Sequence, residues 1–250
     1  MDTPPSHALV VMVKAPIPGE VKTRLIPPLT PEDAVGLYRC FIEDTLLRVS
    51  TFTLPPTSPH KGGREKVSKE EGLPIFVAYT PPDKEAIIKE VVSSIPLVNG
   101  VEGLIPQIGE DLGERLFNTF QRLFSMGYKK VAIIGSDSPD IPLEYIEKTF
   151  CDLEEGRIVL GPSEDGGYYL IGMSLGTELN SVPKAIFKDI PWGTAQVLEE
   201  TLKKIKEAHI EVTILPTWYD VDNPHDIKKL QLEILPRTSK FIQTNLCNKL

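Results

Sequence analysis

Cysteine is scarce in this chain, with three residues in 250 (Cys40, Cys151 and Cys247) and no C-x-x-C pair among them. That spacing excludes a disulfide framework and a cysteine-ligated zinc site, and fits reduced thiols in a cytoplasmic protein. Positive charge is also in deficit. A net charge of -8 and a pI near 5.2 argue against broad electrostatic binding to nucleic acid or to an anionic membrane face. No apolar run approaches membrane-spanning length, and Met1-Asp2-Thr3-Pro4-Pro5 lacks a basic segment followed by an apolar one, so neither a membrane span nor a targeting segment is expected. The G-x-x-x-x-G-K-[ST] spacing of a Walker loop is missing too. What is present is ordinary globular composition, 41% hydrophobic and 25% charged, in a chain long enough for one sizeable α/β domain.

Apolar strand-like runs alternate with amphipathic helical ones. Strands are predicted over 8–13, 74–79, 104–107, 131–134, 157–161, 168–172 and 211–215, and the wholly apolar 131–134 run reads as a central parallel strand covered on both faces. Thr30-Pro31-Glu32-Asp33 supplies an N-cap, a proline at the first helical position and early acids. Val35, Tyr38, Ile42, Leu46 and Val49 then recur at helical spacing. A capping-box-like Asp111-Leu112-Gly113-Glu114 opens another helix with a buried stripe of Leu112, Leu116, Phe117, Phe120, Leu123 and Phe124. Further helices are predicted over 83–92, 142–153, 194–208 and 224–234. The segment 54–72, with Pro55-Pro56, Pro59 and Lys61-Gly62-Gly63-Arg64, has no periodicity and reads as an exposed, flexible insertion. The β-α alternation predicts a doubly wound sandwich, and the two close strands around Gly166-Gly167 a local antiparallel element.

Ligands of open α/β sheets bind beyond the carboxyl ends of the strands, and four segments stand there. In the first, Lys14-Ala15-Pro16-Ile17-Pro18-Gly19-Glu20-Val21-Lys22-Thr23-Arg24, two prolines and Gly19 shape a loop on which Lys14, Lys22 and Arg24 can converge on phosphate; the alternative is a surface turn with solvated cations. In the second, Gly135-Ser136-Asp137-Ser138-Pro139-Asp140, Asp137 is suited to a hard divalent cation, the alternative being a cap for the helix that starts near Pro142, which is the favoured reading for Asp140. The third, Glu164-Asp165-Gly166-Gly167-Tyr168-Tyr169, is either a plain hairpin turn or a loop whose acids and backbone N–H groups face a hydroxylated ligand. The fourth, Tyr219-Asp220-Val221-Asp222-Asn223-Pro224, puts two acids on one face before an Asn-Pro start. Asp222 there can complete a cation site with Asp137; the alternative is that Asn223 is an N-cap and Asp220 a polar strand end.

Taken in order, with Asp111-Leu112-Gly113-Glu114-Arg115 and Pro191-Trp192-Gly193-Thr194 between them, these segments resemble a bacterial and archaeal glycosyltransferase-like family associated with arsenosugar biosynthesis. The resemblance spans residues 7–235 and leaves the tail 236–250 outside it. A more distant similarity is to 2-phospho-lactate guanylyltransferases and molybdenum-cofactor nucleotidyltransferases. The resemblance implies a single-domain GT-A-type nucleotide-diphospho-sugar transferase fold, a three-layer sandwich with a mostly parallel sheet. It implies a metal-dependent glycosyltransferase with a nucleotide or nucleotide-sugar as one substrate, a small-molecule acceptor as the other, and Mg²⁺ or Mn²⁺ as cofactor; the alternatives are a nucleotidyltransferase that releases pyrophosphate and a nucleotide-binding module without turnover. By the same resemblance Lys14, Gly19, Lys22 and Arg24 would serve the nucleotide phosphates, Gln107 and Gly113 the base, and Asp137 and Asp222 the metal. Asp137 and Asp165 would be catalytic, and Glu164, Asp165, Gly166, Gly167 and Tyr168 would meet the acceptor or sugar. Three departures are the insertion 54–72, longer than the family pattern implies, Gly193, where the family often has Ser, and Asn223, where it often has Thr.

Overall fold

The computed structural model describes residues 6–53, 72–176 and 181–249. The predicted insertion falls outside them except for Gly72, which forms an antiparallel bridge with Thr53. Seven strands, β1 (His7–Lys14), β2 (Ile75–Thr80), β3 (Val101–Pro106), β4 (Lys130–Gly135), β5 (Ile158–Pro162), β6 (Tyr168–Ser174) and β7 (Val212–Ile214), form one sheet in the order β3-β2-β1-β4-β6-β5-β7. Only β6 runs against its neighbours, which is the antiparallel element that Gly166-Gly167 signals in the sequence. Each predicted strand is found, with ends shifted by up to three residues.

Period-2 alternation divides the central strands between two cores. Leu9, Val11 and Val13 of β1, with Ala132 and Ile134 of β4, face the helices α1 (Pro31–Ser50), α2 (Glu85–Ser93) and α4 (Leu143–Asp152). Ala8 and Val10, with Val131 and Ile133, face α3 (Leu112–Ser125) and α5 (Val197–Glu207). These side chains are at most 2% exposed, which is why the runs carry no polar alternation. The predicted apolar stripe of α3 is found except for Leu112, which is exposed at the first turn of the helix, and two of the predicted caps are present. Thr30 and Asp33 exchange hydrogen bonds in a capping box at α1, and Asp111 accepts from the Glu114 N–H at α3.

One predicted helix is not found as such. The helix predicted over 224–234 is a pair of 3-10 turns, Asp226–Lys229 and Leu232–Ile234, because the Asp226 carboxylate takes the N–H groups of Asp222 and Asn223 while the Gln231 N–H turns away to Asp140. The tail, given no role by its sequence, folds as α6 (Pro236–Phe241) and a π-helical turn, Ile242–Leu246, against α1. Asp44 of α1 accepts the N–H groups of Arg237 and Thr238 at 3.1 and 2.8 Å, and Phe241 packs over Gly36, where a Cβ would strike its ring. Among the described residues no helix is long and apolar enough to cross a membrane.

Strands β1 and β4 leave the sheet at the same level, Met12 opposite Gly135. The chain moves outward from β1 through β2 to β3, then returns to the other side of β1 as β4. The crevice beyond β1 and β4 is therefore the topological switch point of the sheet.

Candidate functional site

Beyond β1 the loop turns through Gly19, at φ +77° with open space around it, and then through Lys22 at φ +48°. A left-handed residue other than glycine needs compensation from its surroundings, and Lys22 has it. Its ammonium donates to the Val221 carbonyl at 2.7 Å, makes a close ion pair with Asp137, and lies 3.7 Å from an Asp222 carboxylate oxygen. The rings of Tyr38 and Phe41 lie 5.9 and 6.0 Å away. The Lys22 side chain is only 5% exposed, whereas Arg24, which donates to Asp222 at 2.9 Å, is 74% exposed. Lys14 braces the loop through the Glu20 carbonyl at 2.6 Å.

Opposite stands the turn after β4. Tyr38, buried on α1, joins the two strand ends: its hydroxyl accepts from the Lys14 N–H at 3.0 Å and shares a hydrogen bond of 2.8 Å with the Ser136 hydroxyl. Burial, with Asp137 nearby, pushes the Tyr38 phenol well above its ordinary range. Ser138 donates to Asp220 at 2.6 Å, and the Val221 N–H reaches the Asp137 carbonyl at 2.9 Å, so the two acid-bearing turns are stitched together. The Asp220 carboxyl is pushed up to about 6. Burial is the main cause, with the charges of Asp137 and Asp165 adding to it and the Ser138 hydroxyl and Lys22 opposing it.

Asp140 does not cap α4. It is buried and takes the Trp218 indole N–H at 3.3 Å, the Gln231 N–H at 3.1 Å and the Tyr219 hydroxyl. Pro142, at the cap position, makes no side-chain cap. Asn223 does receive N–H groups, from His225 at 2.9 Å and Asp226 at 3.3 Å, and so starts the turn as its sequence position suggests.

The result is a cleft of about 300 Å³ lined by Lys14, Glu20, Val21, Lys22, Thr23, Arg24, Tyr38, Asp137 and Asp222. The three loop cations and the two acids proposed as metal ligands meet there. Among the described residues no set of three or more His, Cys, Asp or Glu converges on one point. Two carboxylates sharing one ammonium still suit Mg²⁺ or Mn²⁺, since Mg²⁺ is held by one or two carboxylates plus water and phosphate oxygens.

Other predicted site residues lie outside this cleft. The Gln107 amide donates to the carbonyls of Val13 and Ala78, at 3.3 and 2.8 Å, and ties β1 to β2. Gly113 is buried under Phe187 and Trp192, whose carbonyl and indole leave no room for a Cβ. Glu164 pairs with Lys229 at 3.0 Å. Asp165 accepts from the Ser163 hydroxyl and, at 2.9 Å, from the Gly167 N–H, so it closes its own hairpin turn. Gly166, at φ +88°, is pressed against Ala195, and its carbonyl accepts the Leu198 N–H at 2.9 Å. The Tyr168 ring points into the core beside Trp192, edge to face at 6.3 Å. Tyr38, Ser136, Ser138 and Asp220 are the site residues that sequence reasoning missed as such. Tyr38 was hidden in a helical apolar stripe, and only the Asp-Val-Asp alternation marked Asp220.

A search of curated proteins gives no significant match. Among solved structures, a Desulfovibrio desulfuricans G20 protein provisionally designated a nucleotide-diphospho-sugar transferase is 29% identical. The match covers 95% of this chain and 97% of the other, with a TM-score of 0.72. A 4-diphosphocytidyl-2C-methyl-D-erythritol synthase from Anaerococcus prevotii DSM 20548 is 10% identical, covering 94% and 96%, at a TM-score of 0.49. A nucleotidyl transfer enzyme from Methanothermobacter thermautotrophicus is 10% identical, covering 92% and 98%, at 0.48. The first of these carries the fold assignment: one α/β domain of the nucleotide-diphospho-sugar transferase type. Residues 64–194, just over half of the chain, match the family described as uncharacterized protein conserved in bacteria (DUF2064), and the chain belongs to that family.

Proposed function

We propose that the chain is a transferase that holds the phosphates of a nucleotide-sugar at the β1–β4 switch point and passes the glycosyl group to a hydroxyl of a small-molecule acceptor. The observation that carries this reading is the meeting of Lys14, Lys22 and Arg24 with Asp137 and Asp222 in one cleft. The full-length likeness to the Desulfovibrio protein supports it. In such a transfer the acceptor oxygen bonds to the anomeric carbon as the bond from that carbon to the phosphate oxygen breaks, and the hydroxyl proton passes to solvent. Negative charge then gathers on the departing nucleoside diphosphate, where fixed cations are most effective. Mg²⁺ or Mn²⁺, held by Asp137 and Asp222, would neutralise further charge on those oxygens. In this reading Asp137 is the catalytic carboxylate of the phosphate side, and the turn of Glu164, Asp165, Gly166 and Gly167 forms the acceptor wall. The same reading places the enzyme in the cytoplasm, without nucleic acid or membrane partners.

One observation favours a second reading, nucleotidyl transfer with release of pyrophosphate. The acids that spoke for a sugar, Glu164 and Asp165, are engaged by Lys229 and by their own hairpin, while the cations face the cleft. Thermal melts with nucleoside triphosphates and nucleotide-sugars, with and without Mg²⁺ or Mn²⁺, test the shared premise. A ligand at a hundredfold its Kd should raise Tm by about 5–10 °C in a chain of this size. No shift with any nucleotide would refute both readings. Release of nucleoside diphosphate or of pyrophosphate then separates them.

A further inference from the structure

Lys22 occupies the position that a divalent cation shared by Asp137 and Asp222 would need. Its ammonium touches Asp137, stands 3.7 Å from Asp222, and is backed by the Val221 carbonyl and two aromatic rings. The left-handed backbone at Lys22 aims the stem inward, and the side chain is 5% exposed although the two carboxylates are 50% and 36% exposed. Such a nest is built for a cation. Without one, two carboxylates would face each other across a cleft, at the cost of like-charge repulsion.

We propose that Lys22 is the resident counter-cation of this acid pair, and that a divalent metal enters by displacing its ammonium toward the phosphates of the incoming ligand. The proposal rests on the metal-dependent reading above. A flexible four-carbon stem permits the swing, and Asp222 has a second cationic partner in Arg24 at 2.9 Å. Metal and phosphate binding are then coupled, because phosphate oxygens replace the carboxylates as partners of the lysine just as the metal takes them. Bare metal, which gives the lysine no new partner, binds poorly.

The test is Mn²⁺ alone, without nucleotide, titrated into the full chain and followed by the loss of the free-ion electron paramagnetic resonance signal. Lys22→Met keeps the buried stem and removes the charge, so it should bind Mn²⁺ about tenfold more tightly than wild type, as ligand charge count dictates. Adding Asp137→Asn to that variant should abolish the gain. Lys22→Arg retains the cation and the fold, and should bind Mn²⁺ no more tightly than wild type. A folded Lys22→Met that binds Mn²⁺ no better than wild type would overturn the proposal, and so would a Lys22→Arg that binds it more tightly. Since no nucleotide is present, these outcomes are independent of the nucleotide melts, on which the functional reading stands or falls by itself.

Discussion

Asp220 is placed where ionisation is disfavoured, and replacing it by asparagine should stabilise the metal-free protein in a pH-dependent way. Its carboxyl is partly buried, accepts the Ser138 hydroxyl at 2.6 Å and faces Asp137 and Asp165, which together with burial lift it from 3.8 to about 6. A carboxyl whose pKa is higher in the folded than in the unfolded state binds its proton more tightly when folded. Its contribution is therefore intact below the unfolded value and is lost as pH rises through the folded one. Two pH units at about 1.4 kcal/mol each set a ceiling near 3 kcal/mol, and solvent access to a partly exposed group lowers the expectation to about 1–2 kcal/mol. Asp220→Asn keeps an acceptor for Ser138 and removes the charge. In EDTA it should exceed wild type by about 1–2 kcal/mol at pH 8, with the advantage shrinking between about pH 6 and 4 and gone below that. Urea unfolding across pH 4–8 measures this. Subtracting the two curves removes groups with the opposite behaviour, such as Asp33 and Asp226, whose carboxyls lie below their usual range. A difference that is flat with pH, or largest at pH 4, would refute the reasoning.

Three other outcomes are expected. Asp137→Asn should abolish Mg²⁺-dependent nucleotide binding in calorimetry, Asp222→Asn should weaken it, and the double variant should be barely worse than Asp137→Asn alone; additive losses indifferent to Mg²⁺ would leave these acids as ion-pair partners only. Arg24→Ala, at an exposed residue, should weaken nucleotide binding by about 1.5–3 kcal/mol with almost no change in Tm. Lys22→Ala should lower both affinity and Tm because its stem is buried, and unchanged affinity in both variants would reduce the loop to a plain ion-paired turn. Asp44→Ala strips the N–H groups of Arg237 and Thr238 of their buried acceptor. It should cost about 2–3 kcal/mol, with residues 236–249 losing hydrogen-exchange protection first; unaltered exchange there would show that the tail is held by other contacts.

What the sequence disclosed and what it concealed divide along the range of the forces involved. Period-2 strands, the Thr30 and Asp111 caps and the Gly166-Gly167 hairpin are set by interactions within a few residues, and these were legible. So was the clustering of Lys14, Lys22, Arg24, Asp137 and Asp222, because all lie at strand ends that one sheet must bring to a common edge. The direction in which each side chain points was not legible, since it depends on partners far along the chain. Lys22 meets Val221 across 199 positions, and Tyr38 meets Ser136 across 98. The same holds for Gln107 and Gly113, which the resemblance alone assigns to the base and whose surroundings are filled by Val13, Ala78, Phe187 and Trp192. Distance also made the tail unreadable, because α6 is too short to hold itself together and depends on Asp44 of α1. A motif thus locates a charged group at the cleft, but whether that group meets a ligand or the protein itself is decided by contacts no local pattern encodes. For Lys22 the partners in this structure are the protein's own: Asp137, Asp222 and the Val221 carbonyl hold it from far along the chain.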